Sequence, residues 1–375
     1  MTRKPRKVRA DFRKNRTPRP RKGDLTRRHS ADEAAVDDAA RDERISGKGE
    51  LTRRRTVMTS DEAPAGNAIQ LDVDLSECLG GRVLRVQGLL SEVETADHRR
   101  FRCATRRILK TLSTDLRHVV CAGDKVQFRP AGHDEGIIER IEPRHGVLSR
   151  ASKRRQQTIV ANVDQLLIVA STGEPPLKPN LIDRFLVAAE KGGIRSIIVI
   201  NKIDLVDPAD LQPLIGVYAQ MGYPVIPVSA AQGTGVARLR RMLAGQATAL
   251  AGQSGVGKSS LLNAIEPGLG LRVSHISVET QKGRHTTTTA ELLPLASGGY
   301  VIDTPGIRQF QLWDVSPEEV AGYFRDLRPF VSHCQFADCT HRHEEECAVK
   351  NAVADDLLDA RRYESYLAIF EGDYY

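Results

Sequence analysis

The sequence predicts a multidomain protein: an N-terminal OB-like β-barrel, a central α/β domain and a C-terminal helical domain, within 375 residues. Three observations predict this order. Short runs of alternating or β-branched residues fill 71–150. Apolar strand-like runs then alternate with an amphipathic helix, which is typical of a parallel sheet. Finally, three of the six cysteines crowd near the C-terminus, which indicates a metal site.

The composition is that of a globular protein, with 40% hydrophobic and 27% charged residues. No apolar run is long enough to span a membrane, and no signal-peptide core follows the N-terminus. We therefore expect a cytoplasmic protein with no membrane partner. Six cysteines over this length argue against a disulfide framework.

The positive charge is concentrated at the N-terminus. Residues 1–28 hold 13 Lys or Arg against Asp11 and Asp24, whereas the whole chain has a net charge of +7. Few large apolar residues occur over 1–70, so this segment is predicted to be a disordered basic arm. Two interpretations stay open: a solubilising tail, or an arm that folds along RNA, which the second basic cluster at 53–55 favours.

Residues 71–150 carry the strand-like runs of the barrel, and the oligonucleotide-binding (OB) fold is the leading candidate. Basic residues in this stretch either line a nucleic-acid face or are merely solvated; they are Arg99, Arg100, Arg106 and Arg107. Three cysteines lack ligand spacing and are predicted to lie in the core; they are Cys78, Cys103 and Cys121.

The α/β domain is predicted over 151–315, after a basic linker at 150–155. A strand at 163–171, a helix through NLIDRFLVAAEKGG and a strand through SIIVINKID form a β-α-β crossover. A further strand, YPVIPVSA, ends at Ser229-Ala230. The carboxyl ends of such strands meet at one edge of the sheet, where ligands bind.

Residues 252–260, GQSGVGKSS, match the phosphate-loop pattern G-x-x-x-x-G-K-[ST] between a strand-like and a helix-like stretch. Glycines let backbone N–H groups surround phosphate oxygens, and the following helix adds its positive end. Lys258 is expected to reach the terminal phosphates and Ser259 to bind Mg²⁺. The predicted phosphate-binding residues are Gly252, Gln253, Ser254, Gly255, Val256, Gly257, Lys258, Ser259 and Ser260.

The tetrapeptide Asn201-Lys202-Ile203-Asp204 matches N-K-x-D and predicts a guanine site. The carboxylate of Asp204 can accept from the N1–H and the exocyclic amine of guanine, a donor pair that adenine lacks. Ser229-Ala230 matches the second base-contact motif. Because both motifs precede the phosphate loop, the domain reads as a circularly permuted GTPase.

Asp303-Thr304-Pro305-Gly306 matches D-x-x-G, which supports Mg²⁺ through Asp303 and contacts the γ-phosphate through Gly306. Thr286 or Thr287 is the expected switch threonine, and spacing does not choose between them. Ile307 stands where many GTPases place a water-orienting glutamine, so slow intrinsic hydrolysis is expected. His285 is the catalytic candidate; the alternative is that it only packs or contacts a partner.

Near the C-terminus, Cys334, Cys339, His341 and Cys347 give the spacing C-x₄-C-x-H-x₅-C. Three thiolates and one imidazole form a closed tetrahedral set for a structural Zn²⁺. His333 and His343 are possible substitutes for His341. The domain is assigned to 316–375, with a helix at 351–371 whose Arg361, Arg362 and Tyr363 are candidates for RNA contact.

Together these motifs resemble the ribosome small subunit-dependent GTPase A family of bacteria, from about residue 45 to 370. The residues that carry the resemblance are NKID, GQSGVGKSS, GRHTTT, DTPGI and the cysteine spacing. The resemblance implies a GTPase that binds the 30S subunit and 16S rRNA late in assembly. It also implies that the subunit stimulates hydrolysis and that the protein helps to release assembly factors. The long basic arm departs from the family's shorter start.

Two alternatives stay open. One is a GTP-gated RNA-binding checkpoint protein with negligible stimulated catalysis. The other, a phosphate-loop ATPase or kinase, is disfavoured by N-K-x-D. The chain shows no heptad repeats, and a monomer is expected.

Overall fold

The computed structural model describes residues 6–11, 54–59, 75–106, 109, 119–152, 155–271, 290–303 and 315–372. The chain divides into two compact units, residues 1–76 with 106–114 and residues 77–105 with 115–375. Within the described residues, no helix combines the length and the apolar character needed to span a bilayer.

In the first unit, strand β1 (Arg6–Asp11) pairs antiparallel with strand β2 (Arg54–Thr59). Disorder was the sequence prediction for both segments, and for these two strands it was wrong. The backbone register sets Val8 opposite Val57. The rest of the predicted arm up to residue 70 lies outside the described residues.

The second unit begins with a barrel. Its strands are β3 (Leu79–Gln87), β4 (Leu90–Thr95), β5 (Arg100–Thr105), β6 (Lys125–Pro130) and β7 (Glu135–Ile141). Their order is β3-β4-β5-β7-β6, and β6 pairs again with β3, so the barrel closes. Only the β5–β7 pair is parallel among these strands. A closed barrel of five strands confirms the OB-like prediction.

The barrel core contains the buried side chains of Val83, Val93, Phe101, Phe128 and Ile138. Cys103 and Cys121 are buried as predicted, whereas Cys78 is only half-buried. Burial raises the pKa of the Cys103 thiol to about 12. Burial also raises the pKa of the Cys121 thiol, so Cys103 and Cys121 are packing residues rather than thiolate nucleophiles.

The predicted basic linker at 150–155 includes the paired ends of two strands instead. Strands β8 (Leu148–Ser152) and β9 (Arg155–Val160) pair antiparallel. Leu148 and Val160, paired at the base of the hairpin, are both buried. This apolar base orders a segment that its charge alone would leave as a loop.

The α/β sheet contains strands β10 (Gln165–Ser171), β11 (Arg195–Asn201), β12 (Val225–Pro227), β13 (Ala247–Ala251), β14 (Glu291–Pro294) and β15 (Tyr300–Asp303). Its helices are α1 (Pro179–Lys191), α2 (Gln212–Gln220), α3 (Val236–Leu243) and α4 (Lys258–Ile265). The strand order is β12-β11-β10-β13-β15-β14, parallel except for β14. The predicted β-α-β crossover is confirmed, and β13, although late in the chain, lies mid-sheet.

The barrel joins this sheet through the β14–β15 hairpin. Glu291 of β14 pairs with Arg85 of β3 through the backbone, and their side chains form an ion pair of 3.6 Å. The Tyr300 hydroxyl of β15 donates to the carboxylate of Glu94 at 2.9 Å. Arg82 places its guanidinium 4.9 Å from the centre of the Tyr300 ring.

The C-terminal helices are α5 (Pro317–Tyr323), α6 (Arg328–Val331), α7 (Ala348–Ala354) and α8 (Ala360–Phe370). The prediction of one helix over 351–371 was wrong. Asp356 adopts a left-handed φ of +57° after α7, and Asp359 caps α8 by accepting from the Arg361 N–H. These two aspartates divide the segment into two helices.

A buried charge network ties α8 to the α/β domain. Arg362 of α8, 3% exposed, contacts the carboxylate of Asp183 in α1, which is 1% exposed. Arg362 also donates twice to Asp326, at 2.8 and 2.9 Å. The Tyr218 hydroxyl of α2 donates to Asp183 at 2.8 Å. Burial opposes the charge on Arg362, but Asp183 and Asp326 outweigh it and raise its pKa.

Candidate nucleotide site and metal centre

The phosphate loop connects β13 to α4, as predicted. Gly252 has a φ of +137°, and a Cβ there would lie 2.2 Å from the Val169 carbonyl oxygen of β10. Gly257 has a φ of +92° and forms the N-cap of α4. Glycine has no Cβ, so it tolerates this close backbone contact and these positive φ angles without a clash. The Lys258 ammonium donates to the carbonyls of Gly252 and Gln253, both at 2.7 Å, so it lies over the loop.

Asn201 joins the three nucleotide motifs. This buried side chain donates to the Val256 carbonyl of the phosphate loop at 2.9 Å. Its amide oxygen accepts from the Ala230 N–H at 3.1 Å. A Cβ on Gly257 would come within 2.4 Å of the same amide. The N-K-x-D strand, the Ser229-Ala230 turn and the phosphate loop therefore meet at one side chain.

Lys202 has a left-handed φ of +64°, and its ammonium donates to the Gly255 carbonyl at 2.9 Å. Ile203, Asp204 and Leu205 form the 3-10 turn that follows. Asp204 is exposed and makes no hydrogen bond or ion pair with the residues that the structure describes. Its carboxylate is therefore accessible to a base bearing two adjacent donors.

The buried Ser229 shapes the second base-contact turn. Its hydroxyl accepts from the Gln232 N–H at 3.1 Å, and its carbonyl accepts from the Gly233 N–H at 2.8 Å. The turn places the Ala230 backbone beside Asn201.

Asp303 ends β15 beside the phosphate-loop strand, since Ala249 of β13 pairs with Ile302. Its backbone is therefore at the same sheet edge as the phosphate loop. The other predicted switch and catalytic residues lie outside the described residues; they are His285, Thr286, Thr287 and Gly306.

The C-terminal domain brings together the four predicted zinc ligands, Cys334, Cys339, His341 and Cys347. Their ligand atoms all lie within 4.8 Å of one another. His341 Nδ1 lies 3.4 Å from the sulfurs of Cys334 and Cys347, and those two sulfurs lie 3.9 Å apart. Zinc bonds of about 2.3 Å to sulfur and 2.0 Å to nitrogen require separations of about 3.5–3.8 Å in a tetrahedron. The donor set therefore fits Zn²⁺.

Neighbouring residues hold the backbone of this cluster. Tyr363 donates to the His341 carbonyl at 2.6 Å, and Tyr366 donates to the Thr340 carbonyl at 2.7 Å. Burial opposes ionisation of Glu344, but hydrogen bonds from Thr340 and Arg342 hold its pKa below the usual range. His333 and His343 are exposed and lie outside the cluster of four ligands.

These contacts correct part of the predicted RNA surface. Arg362 is buried in the charge network and the hydroxyl of Tyr363 is used inside the domain, so neither offers a free polar group for RNA. Only Arg361 of the three is exposed, and it forms an ion pair with Asp359 at 2.8 Å.

A family model described as RsgA GTPase matches residues 141–313. The small ribosomal subunit biogenesis GTPase RsgA of Chlorobaculum parvum is 40% identical over 309 residues, which cover 79% of this chain and 99% of that protein. The chain belongs to the RsgA GTPase family. It is accordingly a GTP hydrolase. The relative of the same name in Thermotoga maritima is 43% identical over 254 residues, covering 67% of this chain and 83% of the relative.

Two solved structures share the RsgA-family fold. YjeQ from Thermotoga maritima matches with a TM-score of 0.65 and 37% identity, covering 78% of this chain and 98% of YjeQ. YloQ, described as a circularly permuted GTPase, matches with a TM-score of 0.62 and 32% identity, covering 79% of this chain and 95% of YloQ. The predicted permutation is thus confirmed.

Sequence reasoning missed two features of this RsgA-family chain. The Asp183–Arg362 pair joins residues far apart in sequence, and no local pattern signals it. The loop after β10 binds the base motif through Thr172, whose hydroxyl donates to the Lys202 carbonyl at 2.6 Å. The position of STGEPP at the carboxyl end of a strand was the signal available for that loop.

Proposed function

We propose that this GTPase acts in maturation of the small ribosomal subunit, binding the 30S particle and 16S rRNA and hydrolysing GTP faster when bound. Its relatives are named as small ribosomal subunit biogenesis GTPases, which supports the subunit as partner. The structural observation that carries the nucleotide part is Asn201, which links the phosphate loop to the base motif. The proposal also includes a role in releasing assembly factors. The protein acts in the cytoplasm as a monomer.

In this proposal Asp204 accepts from the guanine N1–H and amine, while Lys202 packs along the base and anchors the phosphate loop. Lys258 neutralises charge on the terminal phosphates. Ser259 binds Mg²⁺, and Asp303 supports the ion. Thr286 or Thr287 closes on the γ-phosphate, and Gly306 contacts it. Phosphoryl transfer spreads charge over the equatorial oxygens, so positioned donors such as Lys258 supply much of the rate.

Water activation is the weakest part of this machinery. Ile307 has no polar group to orient water. We assign that role to His285, beside the switch threonines. The 30S subunit then stimulates hydrolysis by ordering this segment around the nucleotide.

Each domain has its own role in this proposal. Residues 71–150 contact rRNA, residues 151–315 bind and hydrolyse GTP, and residues 316–375 hold one structural Zn²⁺. On the barrel, Arg99 and Arg100 are exposed, and Arg100 pairs with Glu92 at 3.3 Å. The basic arm adds sequence-independent attraction to phosphates, which predicts binding that weakens as salt rises.

The first test is GTP turnover by the purified protein, alone and with 30S subunits. We expect slow turnover alone, and at least about tenfold stimulation by subunits, as observed when a missing catalytic element is ordered. A His285→Ala variant should bind subunits normally and lose the stimulation. Full stimulation in that variant contradicts the role of His285. Turnover that subunits leave unchanged favours the alternative, a GTP-gated RNA-binding checkpoint.

The second test concerns the base. We expect excess GTP, and not ATP, to displace a fluorescent GTP analogue. Asp204→Asn should weaken GTP binding by about tenfold or more. The NH₂ group of asparagine would face a guanine donor at the position where a carboxylate oxygen of Asp204 accepts a hydrogen bond. Asp207→Asn, in the same stretch and exposed, is the control and should leave GTP affinity within about twofold. Equal competition by ATP would contradict the guanine site.

A further inference from the structure

The loop after β10 is bound closely to the base motif. Ser171 donates to the Pro175 carbonyl at 2.7 Å and so closes the loop on itself. The Thr172 N–H donates to the Asn201 carbonyl at 3.1 Å. The Lys202 ammonium donates in turn to the Glu174 carbonyl. Contacts thus run in both directions between this loop and N-K-x-D.

The carbonyl of Lys202 is the point where these contacts meet. It accepts from the Leu205 N–H at 3.0 Å, the bond that closes the turn bearing Asp204. It also accepts from the Thr172 hydroxyl at 2.6 Å. The left-handed φ of Lys202 turns its carbonyl toward these donors, although a non-glycine residue adopts this conformation at a cost. The Thr172 hydroxyl offsets part of that cost.

The other side of the turn is held as well. The Ile203 N–H donates to the Val228 carbonyl at 3.2 Å. A Cβ on Gly173 would lie 2.7 Å from Leu205 Cδ1, so the loop backbone lies against the end of the turn. Asp204 therefore projects from a turn fixed on both sides, while its carboxylate has no anchor among the described residues.

We propose that Thr172 is a positioning residue for guanine recognition, because its hydroxyl fixes the Lys202 carbonyl and thereby the turn that carries Asp204. The inference rests on the proposed guanine site. It adds a specificity determinant outside the N-K-x-D and Ser-Ala motifs. Thr172 needs no contact with the nucleotide, since it acts through the backbone of Lys202.

The test compares Thr172→Val, which keeps the branched shape and removes the hydroxyl, with Thr172→Ser, which keeps the hydroxyl. Steady-state hydrolysis is measured with GTP and with inosine triphosphate, whose base lacks the exocyclic amine. Base contacts exist in the ground state and in the transition state alike, so their loss raises KM and leaves kcat nearly unchanged.

We expect Thr172→Val to raise KM for GTP by about fivefold, the effect of one hydrogen bond. The preference for GTP over inosine triphosphate should fall, because a displaced Asp204 loses its contact with the amine. Thr172→Ser should retain the wild-type preference. Partial unfolding lowers active enzyme equally for both substrates and leaves their ratio unchanged.

An unchanged preference in Thr172→Val overturns the inference, provided that Asp204→Asn lowers the preference in the same assay. If Asp204→Asn also leaves the preference unchanged, the proposed guanine site itself has failed. The Asp204 variant thus separates the two failures.

Discussion

Replacing Arg362 with Met is expected to lower the free energy of unfolding by about 3–5 kcal/mol, the typical cost of removing one partner of a buried ion pair. The substitution leaves Asp183, 1% exposed, with the Tyr218 hydroxyl and without its cation. It also removes both hydrogen bonds to Asp326. Urea unfolding followed by tryptophan fluorescence and circular dichroism measures the loss.

Arg361→Met is the matched control, one position away on α8. The Arg361 side chain is 51% exposed and pairs only with Asp359 among the described residues, so its loss should cost less than about 1 kcal/mol. Adding Asp183→Asn to Arg362→Met should recover part of the stability, because it removes the uncompensated charge and keeps an acceptor for Tyr218. Equal losses in the free energy of unfolding for Arg362→Met and Arg361→Met would show that the buried network stabilises the fold no more than an exposed ion pair does.

Replacing Cys347 with Ser is expected to remove zinc and to unfold the C-terminal domain. Zinc binding at such sites supplies about 10 kcal/mol or more, and that free energy is folding free energy. Cys347 is fully buried among Val320, Phe324 and Tyr366, so metal and core share one residue. Zinc content per chain and protease sensitivity of 316–375 are the measurements.

Cys78→Ser is the control for zinc content, since this half-buried cysteine lies in the barrel region, outside the Cys/His cluster. His333→Ala and His343→Ala should also retain about one zinc per chain, whereas His341→Ala should lose it. Wild-type zinc content in Cys347→Ser would rule out the proposed ligand set. If residues 316–375 stay protease-resistant after a chelator has removed the zinc, the apolar cluster alone is enough to keep this domain folded.

Local patterns predicted much of this structure. The buried strand β10, with its apolar centre, and the β-α-β crossover follow from hydrophobic periodicity, and the phosphate loop follows from fixed glycine spacing. The cluster of four candidate metal ligands follows from cysteine spacing. In each case the information lies within a few residues of the feature.

Errors arose where distant residues or single backbone torsions decide the outcome. Charge suggested a linker at 150–155, but the buried Leu148–Val160 pair makes it part of a hairpin. Helical periodicity continued across 355–359, but the left-handed Asp356 ends α7. Arg362 looked like a surface cation because its partner Asp183 is in another domain of the chain. Composition does not reveal such pairings.

The β14–β15 hairpin has a mechanical consequence. Residue 290 follows the predicted switch threonines, Thr286 and Thr287, and residue 303 begins D-x-x-G, so in the sequence the hairpin spans the interval between the two predicted switches. The same hairpin is fastened to the barrel by the Glu291–Arg85 pairing and by the Tyr300–Glu94 hydrogen bond. Through these two contacts the barrel is coupled directly to the hairpin that runs from residue 290 to Asp303, with no other domain between them.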